Sequence, residues 1–106
     1  MSGRNLAYLD LSALPTVGPA LLSARPTFVW AADGRRVLWA NAAGAAFFGV
    51  AELDRLLDRR FSDTLPSTSQ IARFARALPK GATRVERISF ATGGRLQMLA
   101  THCTRI

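Results

Sequence analysis

Two short strand-like runs and a helix start stand next to one another in the first half of the chain. Phe28–Ala32 and Val37–Ala40 are rich in aromatic and β-branched residues. Between them lies the Asp33-Gly34 dipeptide, which favours a tight hairpin turn. Asn41 follows and suits an N-cap, because its side-chain oxygen can accept a backbone N–H of the first helical turn. The pattern predicts a hairpin that leads into a helix.

Short helices are predicted on both sides of this hairpin. Pro19–Ala24 has proline at a first helical position and ends before Pro26, so it predicts a short N-terminal helix. Gly49 is a plausible helix end, and Ala51–Asp58 fits a second short helix after it. Leu6–Leu11 fits either a strand or an irregular lead-in.

The clearest helical pattern runs from Ser67 to Leu78. Ser67 and Gln70 have the spacing of a capping box, in which the two side chains bind each other's backbone N–H groups. Four apolar residues recur with helical spacing and would share one face. They are Ile71, Phe74, Ala75 and Leu78.

A second hairpin is predicted at the end of the chain. Arg84–Thr92 and Arg95–Arg105 are strand-like and meet at Gly93-Gly94, which suits a tight turn. Apolar and charged residues are mixed on both faces, so alternation alone leaves the buried face open.

The alternation of side chains along the two strands of the first hairpin predicts two apolar faces. A loop centred on the Asp-Gly dipeptide places Phe28, Trp30, Val37 and Trp39 on one face and Val29, Ala31, Leu38 and Ala40 on the other. Apolar residues on both faces are typical of a sheet that is covered on both sides.

This arrangement resembles the opening half of PAS sensory domains. The resemblance rests on Asp33-Gly34-Arg35-Arg36-Val37-Leu38-Trp39-Ala40-Asn41-Ala42-Ala43, then on Phe48-Gly49-Val50 and Glu52-Leu53. It implies an α+β fold with a PAS-like antiparallel sheet, short helices packed on one face and a short N-terminal helix. Residues 1–25 would form the lead-in and residues 26–106 the PAS-like domain.

The resemblance also implies five strands, with the last in the middle of the sheet, whereas four are readable before Ile106. We therefore expect a PAS-like domain without its last strand. The gap would close by pairing of Thr27–Ala32 with Arg95–Arg105, or be filled by Leu6–Leu11 or by a segment of another subunit, because unpaired buried strand edges are costly.

By resemblance, the position before Asn41 points inward. The candidate pocket residues are Leu38, Ala40, Phe48, Ile71, Phe74 and Met98, around a small apolar ligand of unknown identity or none. The Trp-rich face would then look outward, towards the N-terminal segment or a second chain. Candidates for a homodimer face are Phe28, Trp30, Trp39, Leu21 and Leu22, although the aromatic residues fit an ordinary core equally well.

Composition limits the function classes. The net charge of +7 would suit a nucleic-acid binder. The arginines are scattered through every predicted element, however, and no recognition-helix or zinc-finger motif accompanies them, so nucleic-acid binding is kept only as the alternative. No apolar run reaches the ~20 residues of a membrane span, and no secretory signal opens the chain. These features predict a cytoplasmic protein.

Few residues here carry reactive chemistry. One His and one Cys cannot build a conventional metal site, and His102 and Cys103 would point to opposite faces of a strand. By resemblance, the segment Asp58–Asp63 lacks the cysteine of covalent flavin photosensors, and the Ser67–Leu78 helix lacks a heme-binding histidine. Heme binding through His102 is left as a weak candidate.

The prediction is a sensory and dimerisation module without catalytic activity of its own. By resemblance, it would be the input domain of a bacterial histidine kinase in a two-component system. An output domain would lie beyond Ile106, since no phosphoacceptor helix or ATP-binding motif is present.

Overall fold

The computed structural model describes residues 3–106, with side chains from Tyr8 onward. The helices are α1 (Gly3–Ser12), α2 (Ala42–Phe47), α3 (Leu53–Asp58) and α4 (Pro66–Ala77), with a 3₁₀ turn at Gly18–Ala20. The strands are β1 (Phe28–Trp30), β2 (Val37–Ala40), β3 (Thr83–Thr92) and β4 (Arg95–Thr104). This mixture of helices and antiparallel strands confirms the α+β fold class. None of the described helices combines the length and the apolarity that a membrane crossing requires.

The elements form two compact units. The first unit is the chain up to Trp30 together with Arg36–Arg59, and it contains the first hairpin with α1, α2 and α3. The second unit is Ala31–Arg35 together with Arg60–Ile106, and it contains α4 and the second hairpin. Each hairpin is a separate two-stranded sheet.

The first hairpin contains a bulge that the sequence pattern does not reveal. The Cα partners are Phe28 with Ala40, Val29 with Trp39, and Trp30 with Val37. Leu38 is therefore an extra residue of β2. Residues directly opposite each other share a face of the sheet, so Trp39 lies on the face opposite to Phe28. The predicted grouping of Trp39 with Phe28 and Trp30 is wrong, because the bulge shifts the pairing by one residue.

Helix α2 begins and ends as predicted. Asn41 is its N-cap, and its side-chain Oδ1 accepts a hydrogen bond from the Gly44 N–H at 2.8 Å. At the other end Gly49 has a φ of +71°, and its N–H bonds to the Ala46 carbonyl while the Val50 N–H bonds to the Ala45 carbonyl. This pair of bonds is a Schellman motif, which favours glycine at the left-handed position.

The N-terminal segment differs from the prediction. Residues Leu6–Leu11, expected as a strand or an irregular lead-in, belong to α1. Within the part whose side chains are described, Tyr8, Leu11 and Ser12 are half-buried at helical spacing, whereas Leu9 is exposed. The helix predicted at Pro19–Ala24 is shortened to the 3₁₀ turn.

Helix α4 is confirmed, but its capping box is not. The helix begins at Pro66 after an N-cap at Leu65 that makes no side-chain cap bond, and Ser67 is a buried residue of the first turn. Gln70 binds strand β3 instead, since its Oε1 accepts from the Ser89 N–H at 3.0 Å. The predicted apolar face is present, with Phe74 and Leu78 buried and Ile71 and Ala75 half-buried.

The second hairpin is a regular ladder from Thr83 opposite Thr104 to Thr92 opposite Arg95, joined at Gly93-Gly94 as predicted. Ile88, Phe90 and Thr92 are buried, which identifies the covered face that the alternation left open.

One of the predicted ways of completing the sheet is excluded. Leu6–Leu11 lies in a helix, so it does not supply a strand. Among the described residues β1 pairs with β2 and β3 with β4. Direct pairing of Thr27–Ala32 with Arg95–Arg105 would join the two units, and it stays a prediction, as does a segment of another subunit.

Candidate functional site

The Asn41 side chain makes hydrogen bonds to five backbone groups in the first unit. It is 1% exposed, and its Oδ1 accepts from the N–H groups of Thr27 (3.1 Å) and Gly44 (2.8 Å). Its Nδ2 donates to the carbonyls of Ala20 (2.8 Å) and Arg25 (2.8 Å), with a longer contact of 3.4 Å to the Ser23 carbonyl. One buried amide therefore holds the N-terminal segment, the start of β1 and the first turn of α2 together. We call this set of bonds the Asn41 junction.

Sequence reasoning identified only part of this junction. The N-cap bond to Gly44 follows from residue type and position. The bonds to Ala20, Ser23 and Arg25 depend on where the N-terminal segment lies in the folded unit, and no local signal encodes that.

Helix α1 covers Trp39, the β2 residue that the bulge turns to the face opposite to Phe28. The Tyr8 ring stacks on Trp39 with centroids 5.8 Å apart, and the Tyr8 hydroxyl donates to the Ala40 carbonyl at 2.9 Å. The Trp39 indole N–H donates to the Ser12 hydroxyl at 2.8 Å. Trp39 is fully buried as a result, and burial raises the pKa of the Tyr8 hydroxyl.

On the other face of this hairpin lies a cluster of four aromatic side chains. Phe28 and Phe48 are in edge contact at 5.3 Å between centroids, and Trp30 approaches Phe48 at 6.2 Å. Phe47 completes the cluster at 5.2 Å from Phe48. The Arg59 guanidinium lies 6.0 Å from the Phe48 ring centroid, within the range of a cation–π contact.

The candidate dimer-face residues therefore have different surroundings. Trp39 is covered by α1 of its own chain, and its place in a dimer face stays a prediction. Phe28 and Trp30 are half-buried in the aromatic cluster. Leu21 and Leu22 are 40% and 94% exposed, so they are the most accessible members of the set.

The candidate pocket residues are divided between the two units. Ala40 and Phe48 are buried and Leu38 is half-buried in the first unit. Phe74 is buried and Ile71 half-buried in the second unit. Met98 is 63% exposed on β4, and its assignment to a pocket wall stays a prediction. Its partner Ser89 places it on the face of the hairpin opposite to Ile88 and Phe90.

The second unit has an open cleft of about 580 Å³ that the sequence pattern did not indicate. Its walls come from the first-hairpin loop and from α4, and they are lined by Ala32, Asp33, Arg35, Asp63, Thr68, Ser69, Ala72 and Arg76. Gly34 lies so close to α4 that a Cβ atom there would stand 2.5 Å from the Thr68 carbonyl oxygen. The Arg35–Asp63 ion pair (3.3 Å) is exposed and therefore contributes little to stability.

The residues with reactive chemistry do not form a catalytic group. His102 is exposed and Cys103 is half-buried, and as neighbours on β4 they point to opposite faces. Burial raises the pKa of the Cys103 thiol, and the Glu86 carboxylate adds to the rise, which lowers the thiolate fraction. Among the described residues, no three His, Cys, Asp or Glu side chains lie together as a metal site.

Comparison with known proteins identifies one family. The family described as PAS fold matches residues 23–106, which is more than half of the chain. No curated protein and no solved structure matches significantly. The hairpin, the capping asparagine and the following short helices thus fall within the matched range, and the chain belongs to the PAS fold family.

Proposed function

We propose that this chain is the sensory and dimerisation module of a signal-transduction protein, namely the cytoplasmic input domain of a bacterial histidine kinase in a two-component system. Its membership of the PAS fold family supports a sensory and signalling role. In this proposal the chain has no catalytic activity of its own, and the output domain follows Ile106. The family match gives no support to the nucleic-acid alternative.

The Asn41 junction is the observation that carries the proposal. A sensory and dimerisation module must convert a local change into movement of the segment that carries its dimer contacts, here the segment with the exposed Leu21 and Leu22. Asn41 binds α2 through its Oδ1 and residues 20–25 through its Nδ2, so a shift of α2 alters the hydrogen bonds of the N-terminal segment. The Asn41 side chain is buried, and hydrogen bonds of a buried amide are stronger than those made in water.

The proposed homodimer uses the exposed part of the N-terminal segment. Leu21 and Leu22 lie side by side in the first unit, and Leu9 and Leu14 expose 60% and 37% of their surface in the same segment. Exposed apolar residues in sequence neighbourhood are a feature of interaction surfaces. Phe28 and Trp30 would contribute only the surface that their aromatic cluster leaves open.

The sensory role is tested with the full-length protein that contains the output domain. Incubation with labelled ATP should transfer phosphate to the output domain but not to the isolated chain. Asn41→Ala should change the rate of phosphorylation in the full-length protein, whereas Glu52→Gln, an exposed change in the same unit, should leave it unaltered. A full-length protein without phosphoryl transfer would contradict the kinase assignment.

Oligomeric state and ligand content are tested on the purified chain. Sedimentation should show a dimer that Leu22→Asn dissociates and that Val85→Asn, an exposed apolar residue of the second hairpin, does not. Native mass spectrometry should detect a retained small apolar ligand if the predicted pocket is filled. A monomer at high concentration would rule out the proposed dimer.

A further inference from the structure

The cleft of the second unit has walls that are fixed against one another. The first-hairpin loop is tied to the segment before α4, because the Phe61 N–H donates to the Arg35 carbonyl at 2.8 Å. That segment is tied to α4 in turn, since the Thr68 hydroxyl donates to the Ser62 carbonyl at 2.7 Å. Gly34 brings the loop against the helix and leaves no room there for a side chain. The cleft is therefore held in shape before any ligand arrives, which reduces the ordering cost of binding.

The charges on the walls of the cleft are only partly compensated. Arg35 and Asp63 form an ion pair at 3.3 Å. Asp33, on the loop, accepts a hydrogen bond from the Arg35 backbone N–H at 2.9 Å, but its carboxylate has no ion pair among the described residues. Arg76, on α4, likewise has no carboxylate partner in the described part of the chain. The cleft therefore presents one unpaired carboxylate and one unpaired guanidinium, on different walls.

This arrangement selects against ligands that carry a single charge. An anion would be attracted by Arg76 but repelled by Asp33 and Asp63, and a cation would be attracted by Asp33 but repelled by Arg35 and Arg76. An apolar ligand would cover both unpaired charges without a partner for either, which is costly. A zwitterion pairs both at once, because its carboxylate can accept two hydrogen bonds from the planar guanidinium while its ammonium group donates to the aspartate.

The size and the remaining lining suit a small molecule of this kind. The cleft measures about 580 Å³, which is within the range of small-molecule sites. The Ser69 hydroxyl donates to the Pro66 carbonyl at 3.1 Å, so its lone pairs are left to accept from an ammonium group. We propose that this cleft binds a small amino acid zwitterion, with the carboxylate on Arg76 and the ammonium group on Asp33. The site shares no residue with the predicted apolar pocket and is independent of the proposed kinase context.

The proposal is tested by titration of the purified chain, followed through its amide NMR signals. The probes are glycine, β-alanine and γ-aminobutyrate, in which the two charged groups are progressively farther apart. At least one of them should shift the signals of the first-hairpin loop and of α4 to saturation. Acetate and methylammonium, which carry one charge each, should bind more weakly than the best zwitterion by about tenfold or more. Equal binding of acetate and the zwitterions, or no saturable shift with any zwitterion, would overturn the proposal.

Matched variants locate the two charge contacts. Asp33→Asn keeps the oxygen that accepts from the Arg35 N–H and removes only the charge, and Arg76→Gln removes the guanidinium. Each should weaken binding of the best zwitterion by about tenfold or more. Arg73→Gln, an exposed change on α4 that does not line the cleft, is the control and should have no effect. Unchanged binding in both Asp33→Asn and Arg76→Gln would place the site elsewhere and overturn the assignment.

The orientation of the ligand is tested with two blocked forms of glycine. Glycine methyl ester keeps the ammonium group, so its weak binding should fall in Asp33→Asn but not in Arg76→Gln. N-acetylglycine keeps the carboxylate, and its weak binding should fall in Arg76→Gln but not in Asp33→Asn. Equal responses of the two blocked ligands to both variants would show that the charges do not act as separate contacts, which would contradict the proposed binding mode.

Discussion

The two hairpins of this chain differ in how they are covered. In the first, Val37, Trp39 and Ala40 are almost completely buried, because α1 lies on one face and the aromatic cluster with α2 on the other. In the second, Ile88 and Phe90 are buried, while Leu96 and Met98 on the opposite face remain largely exposed. The first strand pair is short and bulged, and the second is long and regular.

This difference shows where each hairpin obtains its stability. A short strand pair contributes few ladder bonds, so the first hairpin depends on side-chain packing and on the Asn41 junction. The second hairpin has a complete ladder and needs only one covered face. The first hairpin should consequently be more sensitive than the second to the loss of a single side chain.

The largest effect is expected from truncating Trp39. Trp39→Ala removes a fully buried indole and its hydrogen bond to Ser12, so the free energy of unfolding should fall by about 4 kcal/mol. The matched change in the second hairpin, Met98→Ala, should cost less than about 0.5 kcal/mol because the side chain is exposed. Urea denaturation measures both. Similar losses of unfolding free energy in the two variants would show that the hairpins do not differ in their dependence on side-chain packing.

Asn41→Ala should lower the free energy of unfolding by about 3 kcal/mol. It removes the N-cap of α2 and the part-buried hydrogen bonds that Asn41 makes to the Thr27 N–H and to the Ala20 and Arg25 carbonyls. Asn41→Asp keeps an oxygen acceptor for the N–H groups of Thr27 and Gly44 but turns a carboxylate oxygen towards the carbonyls of residues 20–25. At neutral pH this variant should therefore be no more stable than Asn41→Ala. Thermal unfolding that returns to the wild-type value with Asp would show that the bonds to residues 20–25 contribute nothing.

Gln70→Ala should cost about 1 kcal/mol, because the Ser89 N–H loses its acceptor at a partly exposed position. Gln70→Glu retains an acceptor oxygen and should cost less. Hydrogen exchange of the Ser89 amide gives a direct local measurement, and it should accelerate in the alanine variant. No change in that exchange rate would show that Gln70 does not protect the β3 edge.

The smallest effect concerns pH. Burial raises the pKa of Tyr8 above its ordinary value of about 10. The folded protein keeps this proton to higher pH than the unfolded chain. The free energy of unfolding is therefore unaffected below the ordinary pKa and falls as pH rises from there through the raised pKa. Tyr8 is the only tyrosine of the chain, and Tyr8→Phe should remove this part of the pH dependence. Identical alkaline profiles for the two proteins would contradict it.

Local signals predicted the parts of the fold that depend on local chemistry. The cap at Asn41 and the helix end at Gly49 follow from a side-chain acceptor and from a left-handed glycine. The turn at Gly93-Gly94 was equally readable.

Tertiary contacts decided the rest. The bulge at Leu38 reversed the face of Trp39, and a period-two pattern cannot show where a bulge lies. Gln70 has the sequence position of a capping residue, but a strand edge within its reach competes for its amide. Tyr8 and Ser12 contact Trp39, which lies far from them in sequence, and a local pattern does not show such a contact.

The concentration of hydrogen bonds on Asn41 has a consequence for local unfolding. Release of residues 20–25 and fraying of the first turn of α2 cannot occur separately, since both require the same amide to leave its buried position. Their opening should be one cooperative event, and the amide protons of Thr27 and Gly44 should exchange with solvent at a common free energy.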